Sequence, residues 1–129
     1  MAMAIPALLA ALLAGCVLLA MPTTATDHVV GGSLWSIPTS SDYYRNWAGN
    51  TTMFVGDNLV FRFDAGMYDV VEVGGWEYKA CSWVDQYSDT LKSSPAVFHL
   101  DFAGVKYYIC TIGNYCSLGV KIWVSVQQA

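Results

Sequence analysis

Basic side chains and histidines are scarce in this sequence. Its 129 residues include 6 Lys and Arg and 2 His against 10 Asp and Glu, so the formal net charge is −4 and the pI is about 4.7. A protein that binds nucleic acid or anionic lipid needs a cluster of Lys and Arg to neutralise phosphates. We therefore expect no nucleic-acid partner.

Motifs of common catalytic sites are also missing. The sequence contains no Gly-x-Ser-x-Gly elbow, phosphate-binding loop or zinc-protease motif. His28 and His99 lie on separate predicted strands without a metal-ligand spacing, and we interpret them as surface or strand-end residues. We expect the scattered acidic residues to form a solvated face without a glycosidase-like pair: Asp64, Asp69, Glu72, Glu77, Asp85 and Asp89. The sequence predicts no enzyme and no catalytic residue.

No hydrophobic run is long enough to span a membrane as a helix. The apolar stretch 7–20 falls short of the roughly 20 residues that a bilayer requires. Pro22 and the small residues up to Ala25 follow it, which is typical of a signal peptide and its cleavage site. We expect residues 1–25 to be this leader and residues 26–129 to be one secreted domain without a transmembrane segment or a GPI-anchor signal.

The cysteine count is odd once the leader is removed. Of 4 cysteines, Cys16 lies in the leader, and Cys81, Cys110 and Cys116 stay in the domain. In an oxidising compartment two of the three should pair, and the residues alone leave all three pairings open. Asn50-Thr51-Thr52 is a sequon for N-glycosylation, which places Asn50 on a surface loop.

Short runs of β-branched and aromatic residues, separated by turn residues, dominate the remaining sequence. Such runs at regular intervals are typical of an all-β sandwich of two sheets. We expect short helices only over Ser41–Ala48 and Trp76–Val84. The predicted strands are Asp27–Gly32, Leu59–Phe63, Asp69–Val73, Ala96–Leu100, Val105–Cys110 and Val120–Val126.

The order of several sequence blocks resembles the phytocyanins, secreted plant blue-copper proteins of the cupredoxin superfamily. The C-terminal block Tyr107–Ile122 carries the strongest resemblance, and the upstream blocks follow in the family order. The resemblance implies a Greek-key, cupredoxin-like β-sandwich and a disulfide between Cys81 and Cys116. The upstream blocks are Val29–Gly32, Trp35–Pro38, Asp42–Ala48, Phe54–Phe61, Asp69–Val73 and Tyr78–Cys81.

The same resemblance maps the family's copper ligands onto four positions of this chain. The two histidines correspond to Tyr68 and Tyr115, the cysteine to Cys110, and the axial methionine or glutamine to Val120. A blue-copper centre needs two imidazoles and a thiolate in a plane with a weak axial donor. Phenols ionise only at about pH 10 and valine has no donor atom, so we expect no cofactor. In this respect the chain resembles the copperless early-nodulin-like branch.

The predicted function is a non-catalytic extracellular module of the apoplast or cell wall. We expect Tyr68 and Tyr115 to fill the vacant site, with an aromatic platform for cell-wall glycans or glycoproteins as the second interpretation. Cys110 is interpreted as a small buried hydrophobe rather than a reactive thiol. We expect a monomer, and the alternative function is electron transfer through copper, as in the wider family.

Overall fold

The computed structural model describes residues 24–129, so the predicted leader lies almost wholly outside the described residues. Within this range the chain forms seven short strands, two short α-helices and a 3-10 turn over Val30–Gly32. The α-helices are α1 (Tyr43–Gly49) and α2 (Gly75–Ala80). The strands are β1 (Asp27–Val29), β2 (Met53–Phe54), β3 (Asn58–Phe61), β4 (Val71–Val73), β5 (Ala96–His99), β6 (Gly104–Ile109) and β7 (Lys121–Gln127).

The strands form two sheets. One has the order β1-β3-β5 and the other the order β2-β7-β6-β4. β1 pairs parallel with β3 and β2 parallel with β7, whereas the remaining pairs are antiparallel. The expected all-β class with few short helices is confirmed.

The core lies between the sheets because alternate side chains of each strand point inward. On β7, Ile122, Val124 and Val126 are buried while the residues between them are not. Trp35 is completely buried, its ring 4.8 Å from that of Phe61 in an edge-to-face contact. Its indole N–H donates a hydrogen bond of 2.9 Å to the Asp69 carbonyl, so the largest core side chain also fixes the loop before β4.

Several element boundaries differ from the sequence-based expectation. The first predicted strand ends at Val29, because Gly31 and Gly32 take positive φ angles of 71° and 80° that form the 3-10 turn. A Cβ at position 31 would lie 2.8 Å from the Tyr44 ring, so this glycine also permits a close approach. The predicted helix to Val84 was wrong at its end: α2 stops at Ala80 because Cys81 adopts the left-handed conformation, with φ of 51°.

The disulfide implied by the family resemblance is confirmed. Cys81 and Cys116 are bonded, with Cα atoms 5.8 Å apart, and they tie the end of α2 to the loop between β6 and β7. Among residues 24–129 no helix is long and apolar enough to span a bilayer.

Candidate metal centre

The four positions that match the family's copper ligands lie around one end of the sandwich. Cys110 directly follows β6, and Val120 directly precedes β7. The Cys110 N–H donates to the Val120 carbonyl at 3.1 Å, and the Val120 N–H donates to the Tyr115 carbonyl at 3.0 Å. Tyr68 lies in the loop before β4, and its ring packs on Tyr115. The fold therefore brings all four positions together.

Two half-buried tyrosine rings, Tyr68 and Tyr115, lie at the positions that the family resemblance predicts for the histidines. The ring centroids of Tyr68 and Tyr115 are 5.3 Å apart with an interplanar angle of 43°, and both rings pack against the core. The Tyr68 hydroxyl oxygen accepts a hydrogen bond of 3.3 Å from the backbone N–H of Ile37. One phenol oxygen is thus engaged by the backbone, and the ring pair forms part of the packed end of the sandwich.

Cys110 is buried, with 1% of its surface exposed, and has no disulfide partner among residues 24–129. Burial raises the pKa of the Cys110 thiol to about 11. Metals and electrophiles react with thiolate rather than thiol. Near neutral pH this residue is therefore a protonated, inaccessible side chain.

Asp69 was wrongly predicted to belong to a solvated acidic face. It is 1% exposed, and its carboxylate accepts hydrogen bonds from the Thr111 N–H at 2.7 Å and the Thr111 hydroxyl at 2.5 Å. These bonds compensate the burial of the charge and join the segment carrying Tyr68 to the segment carrying Cys110. Sequence reasoning missed this role because burial depends on which loops meet at the end of the sandwich.

The other acidic side chains and both histidines make their hydrogen bonds and ion pairs away from the four candidate ligand positions. Asp64, Asp85 and Asp89 are exposed, as predicted. Glu72 on β4 and Glu77 on α2 are only partly exposed, unlike the predicted solvated face, and burial raises the pKa of Glu72. His28 on β1 pairs with Asp57 at 2.8 Å, and His99 on β5 bonds the side chain of Asn58. Among residues 24–129, no three His, Cys, Asp or Glu side chains form a group that could hold a metal ion.

The donor set at the four positions does not fit a blue-copper centre. Such a centre uses imidazole nitrogens and a thiolate, whereas this site presents two phenol side chains, a buried thiol and an isopropyl group. The phenols pack on each other, and Val120 is completely buried in the core.

Three exposed apolar side chains belong to residues next to the tyrosine pair in the chain or bonded to it through the backbone, and no sequence motif predicted them. Ile37, whose N–H bonds Tyr68, is 41% exposed, and Met67, next to Tyr68 in the chain, is 53% exposed. Leu118 is 45% exposed, and its N–H donates to the Tyr115 carbonyl at 3.0 Å. We call Ile37, Met67 and Leu118 the apolar rim. Exposed apolar side chains grouped near one site are candidates for an interaction surface.

The fold and this loop arrangement define a class that is also known from solved structures. The structure matches that of cucumber stellacyanin with Cu²⁺ at pH 7.0, with a TM-score of 0.78, 37% identity and coverage of 83% of this chain and 99% of the other. The fold is therefore that of a cupredoxin.

Sequence comparison then gives the family. The family model described as a plastocyanin-like domain matches residues 35–120. The chain is 37% identical over 107 residues to the cucumber (Cucumis sativus) peeling cupredoxin, covering 81% of this chain and 78% of that protein. It is 33% identical over 101 residues to early nodulin-like protein 14 of Arabidopsis thaliana, covering 76% of this chain and 55% of that protein. This chain belongs to the plastocyanin-like, or phytocyanin, family.

Proposed function

We propose that this protein is a secreted phytocyanin-like module that has lost the blue-copper site and acts without catalysis in the apoplast or cell wall. The observation that carries the proposal is that the Tyr68 and Tyr115 rings pack together and Val120 is completely buried, at three positions for which the family resemblance predicts copper ligands. The fold is intact although blue-copper donor atoms are missing at three positions: the disulfide, the two sheets and the loop geometry are all present. An intact fold without blue-copper donors supports a binding or structural role.

Binding is assigned to the end of the sandwich that carries the tyrosine pair and the apolar rim. Half-buried aromatic rings beside apolar side chains can contact the CH-bearing face of a sugar ring or the rings of a proline-rich polypeptide. The partner class is therefore cell-wall glycans or glycoproteins. The protein acts as a monomer, and Asn50 carries an N-glycan.

The binding role is tested by screening the mature protein on arrays of plant cell-wall glycans and proline-rich glycoproteins. A Tyr68→Ala, Tyr115→Ala variant should lose the captured ligand, because it removes both rings. Phe102→Ala is the matched control, since Phe102 is 72% exposed and precedes β6, at the far end of that strand from Cys110. Arrays blank for the unaltered protein, or equal loss in the control, would contradict the proposed binding site.

Electron transfer is the second candidate function, and one observation favours it. Cys110 is a free cysteine directly after β6, at the position that the family resemblance predicts for the copper thiolate. This function requires a copper ion held by Cys110 together with donors other than imidazole. A copper titration separates the two functions.

A further inference from the structure

A groove between α1 and the outward face of β7 has no part in the proposed binding end. Its volume is about 220 Å³, below the roughly 300–1,000 Å³ typical of sites that enclose a drug-sized ligand. Such a groove is suited to one or two small rings that remain partly in contact with solvent. The polar and aromatic side chains that line it are Arg45, Thr51, Thr52, Trp123, Ser125 and Gln127.

The walls of the groove combine one flat aromatic surface with hydroxyl and amide groups and the guanidinium group of Arg45, all of which can hydrogen-bond to sugar hydroxyls. Trp123 is 37% exposed although it lies on an interior strand of its sheet, between β2 and β6 in the strand order. Ser125 and Gln127 follow it on the same outward face, and Thr51 and Thr52 stand opposite at the end of α1. An aromatic face with surrounding hydroxyls and amides matches the chemistry of a pyranose ring, which has an apolar CH face and a hydroxylated edge.

The glycosylation sequon itself forms one edge of this groove. Gly49, Thr51 and Thr52, the neighbours of Asn50, line it, and Asn50 is exposed. The Asn50 side-chain amide donates to the Asn46 carbonyl at 3.0 Å, and the Thr51 hydroxyl donates to the Trp47 carbonyl at 2.8 Å. A glycosylated amide keeps one N–H, so the Asn46 contact can survive the modification.

We propose that the N-glycan attached to Asn50 folds back into this groove and that its first sugar rings cover Trp123. This inference rests on the proposed secretion and glycosylation. A lipid-diphosphate-linked oligosaccharide is the donor: its C1–O bond breaks, C1 bonds to Asn50 Nδ2, and one amide proton and the lipid diphosphate leave. Covalent attachment gives the sugar an effective concentration in the range of about millimolar, so a weak contact with Trp123 suffices.

The proposal is tested on mature protein from a plant secretory host and on its Asn50→Gln variant. Intact mass first establishes whether Asn50 carries a glycan, and an unmodified asparagine overturns the proposal without bearing on copper or on the binding end. In the glycosylated protein, NMR should show Overhauser contacts between the first N-acetylglucosamine and the Trp123 ring. Contacts to solvent-facing residues elsewhere, or none, overturn it.

A stability comparison gives an independent readout. The glycan should raise Tm in the unaltered protein, and this upward shift should be lost in Trp123→Thr and largely kept in Trp123→Phe, which preserves a flat ring. Trp76→Thr is the matched control, because Trp76 is 76% exposed on α2 and outside the groove, and it should keep the full shift. A Tm shift of equal size in all variants overturns the proposal. The proposal is also overturned if the groove binds free chito-oligosaccharide added to the protein but not the attached glycan.

Discussion

The packing of Tyr68 on Tyr115 leads to a quantitative prediction about the closed end of the sandwich. If these rings fill the position of the metal ligands, each should stabilise the fold partly through the other. The test is a double-mutant cycle made of Tyr68→Ala, Tyr115→Ala and the double variant.

The expected magnitudes follow from burial and geometry. Complete loss of a buried aromatic side chain costs about 3–5 kcal/mol, and these rings are half-buried, so each single truncation should cost about 2 kcal/mol. A tilted aromatic pair whose centroids are 5.3 Å apart should couple by about 1 kcal/mol. The double variant should therefore lose about 1 kcal/mol less than the sum of the single losses.

Urea denaturation of the mature, disulfide-intact protein at 25 °C, followed by circular dichroism, measures these quantities. A loss of about 2 kcal/mol moves the urea midpoint by about 1 M for a slope near 2 kcal/mol/M. The Tyr68→Phe variant is the control, because it keeps the ring and removes only the hydroxyl that accepts from Ile37. A coupling energy within about 0.3 kcal/mol of zero would refute the packed-pair account.

Three further predictions concern the charged and sulfur-bearing groups. Thr111→Val removes a hydroxyl that donates to the buried Asp69 carboxylate and should lower the unfolding free energy by about 2 kcal/mol. Thr111→Ser keeps the hydroxyl and should retain most of the unfolding free energy. Equal urea midpoints for the Val and Ser variants would count against this hydrogen bond. Titration with a disulfide-forming thiol reagent should detect Cys110 only after denaturation, because it is buried, and rapid labelling of native protein would contradict its burial. Although burial alone would raise it, hydrogen bonds from His28 and from two backbone N–H groups hold the pKa of Asp57 below its usual value. The contribution of Asp57 to stability is complete above the unfolded-state pKa of about 3.9 and is lost as pH falls through the folded-state pKa. The Asp57→Asn variant should therefore show a flatter acid limb in a profile of unfolding free energy against pH. An unchanged acid limb would show that Asp57 makes no such contribution.

The fold was largely predictable because strand and turn chemistry is local. The alternation of Lys121–Gln127 gives the inward and outward faces of β7 directly from its residues, and the β-rich runs place most other strands to within a few residues. The two-residue strand β2 was missed because its partner, β7, lies far away in the sequence. The early end of α2 was missed because the left-handed Cys81 is fixed by the disulfide bond to the β6–β7 loop.

The candidate site was predictable only in part. The positions of Tyr68 and Cys110 came from motif order, and the structure brings them to the same end of the sandwich. The burial of Asp69 and the exposure of Met67 depend on how the loops pack against each other, and side-chain chemistry alone assigns the opposite environment to each. The exposure of Trp123 could not be predicted either, because an aromatic residue in a strand is equally compatible with the core and the surface.

Copper binding tests the central claim most directly. The mature protein is titrated with Cu(II), bound metal is measured by elemental mass spectrometry, and the visible spectrum is recorded; a Tyr68→His, Tyr115→His, Val120→Met variant serves as the positive control. The account predicts no stoichiometric copper and no thiolate-to-copper absorption in the unaltered protein, with both appearing in the variant. One tightly held copper per chain with an intense blue band in the unaltered protein would contradict it.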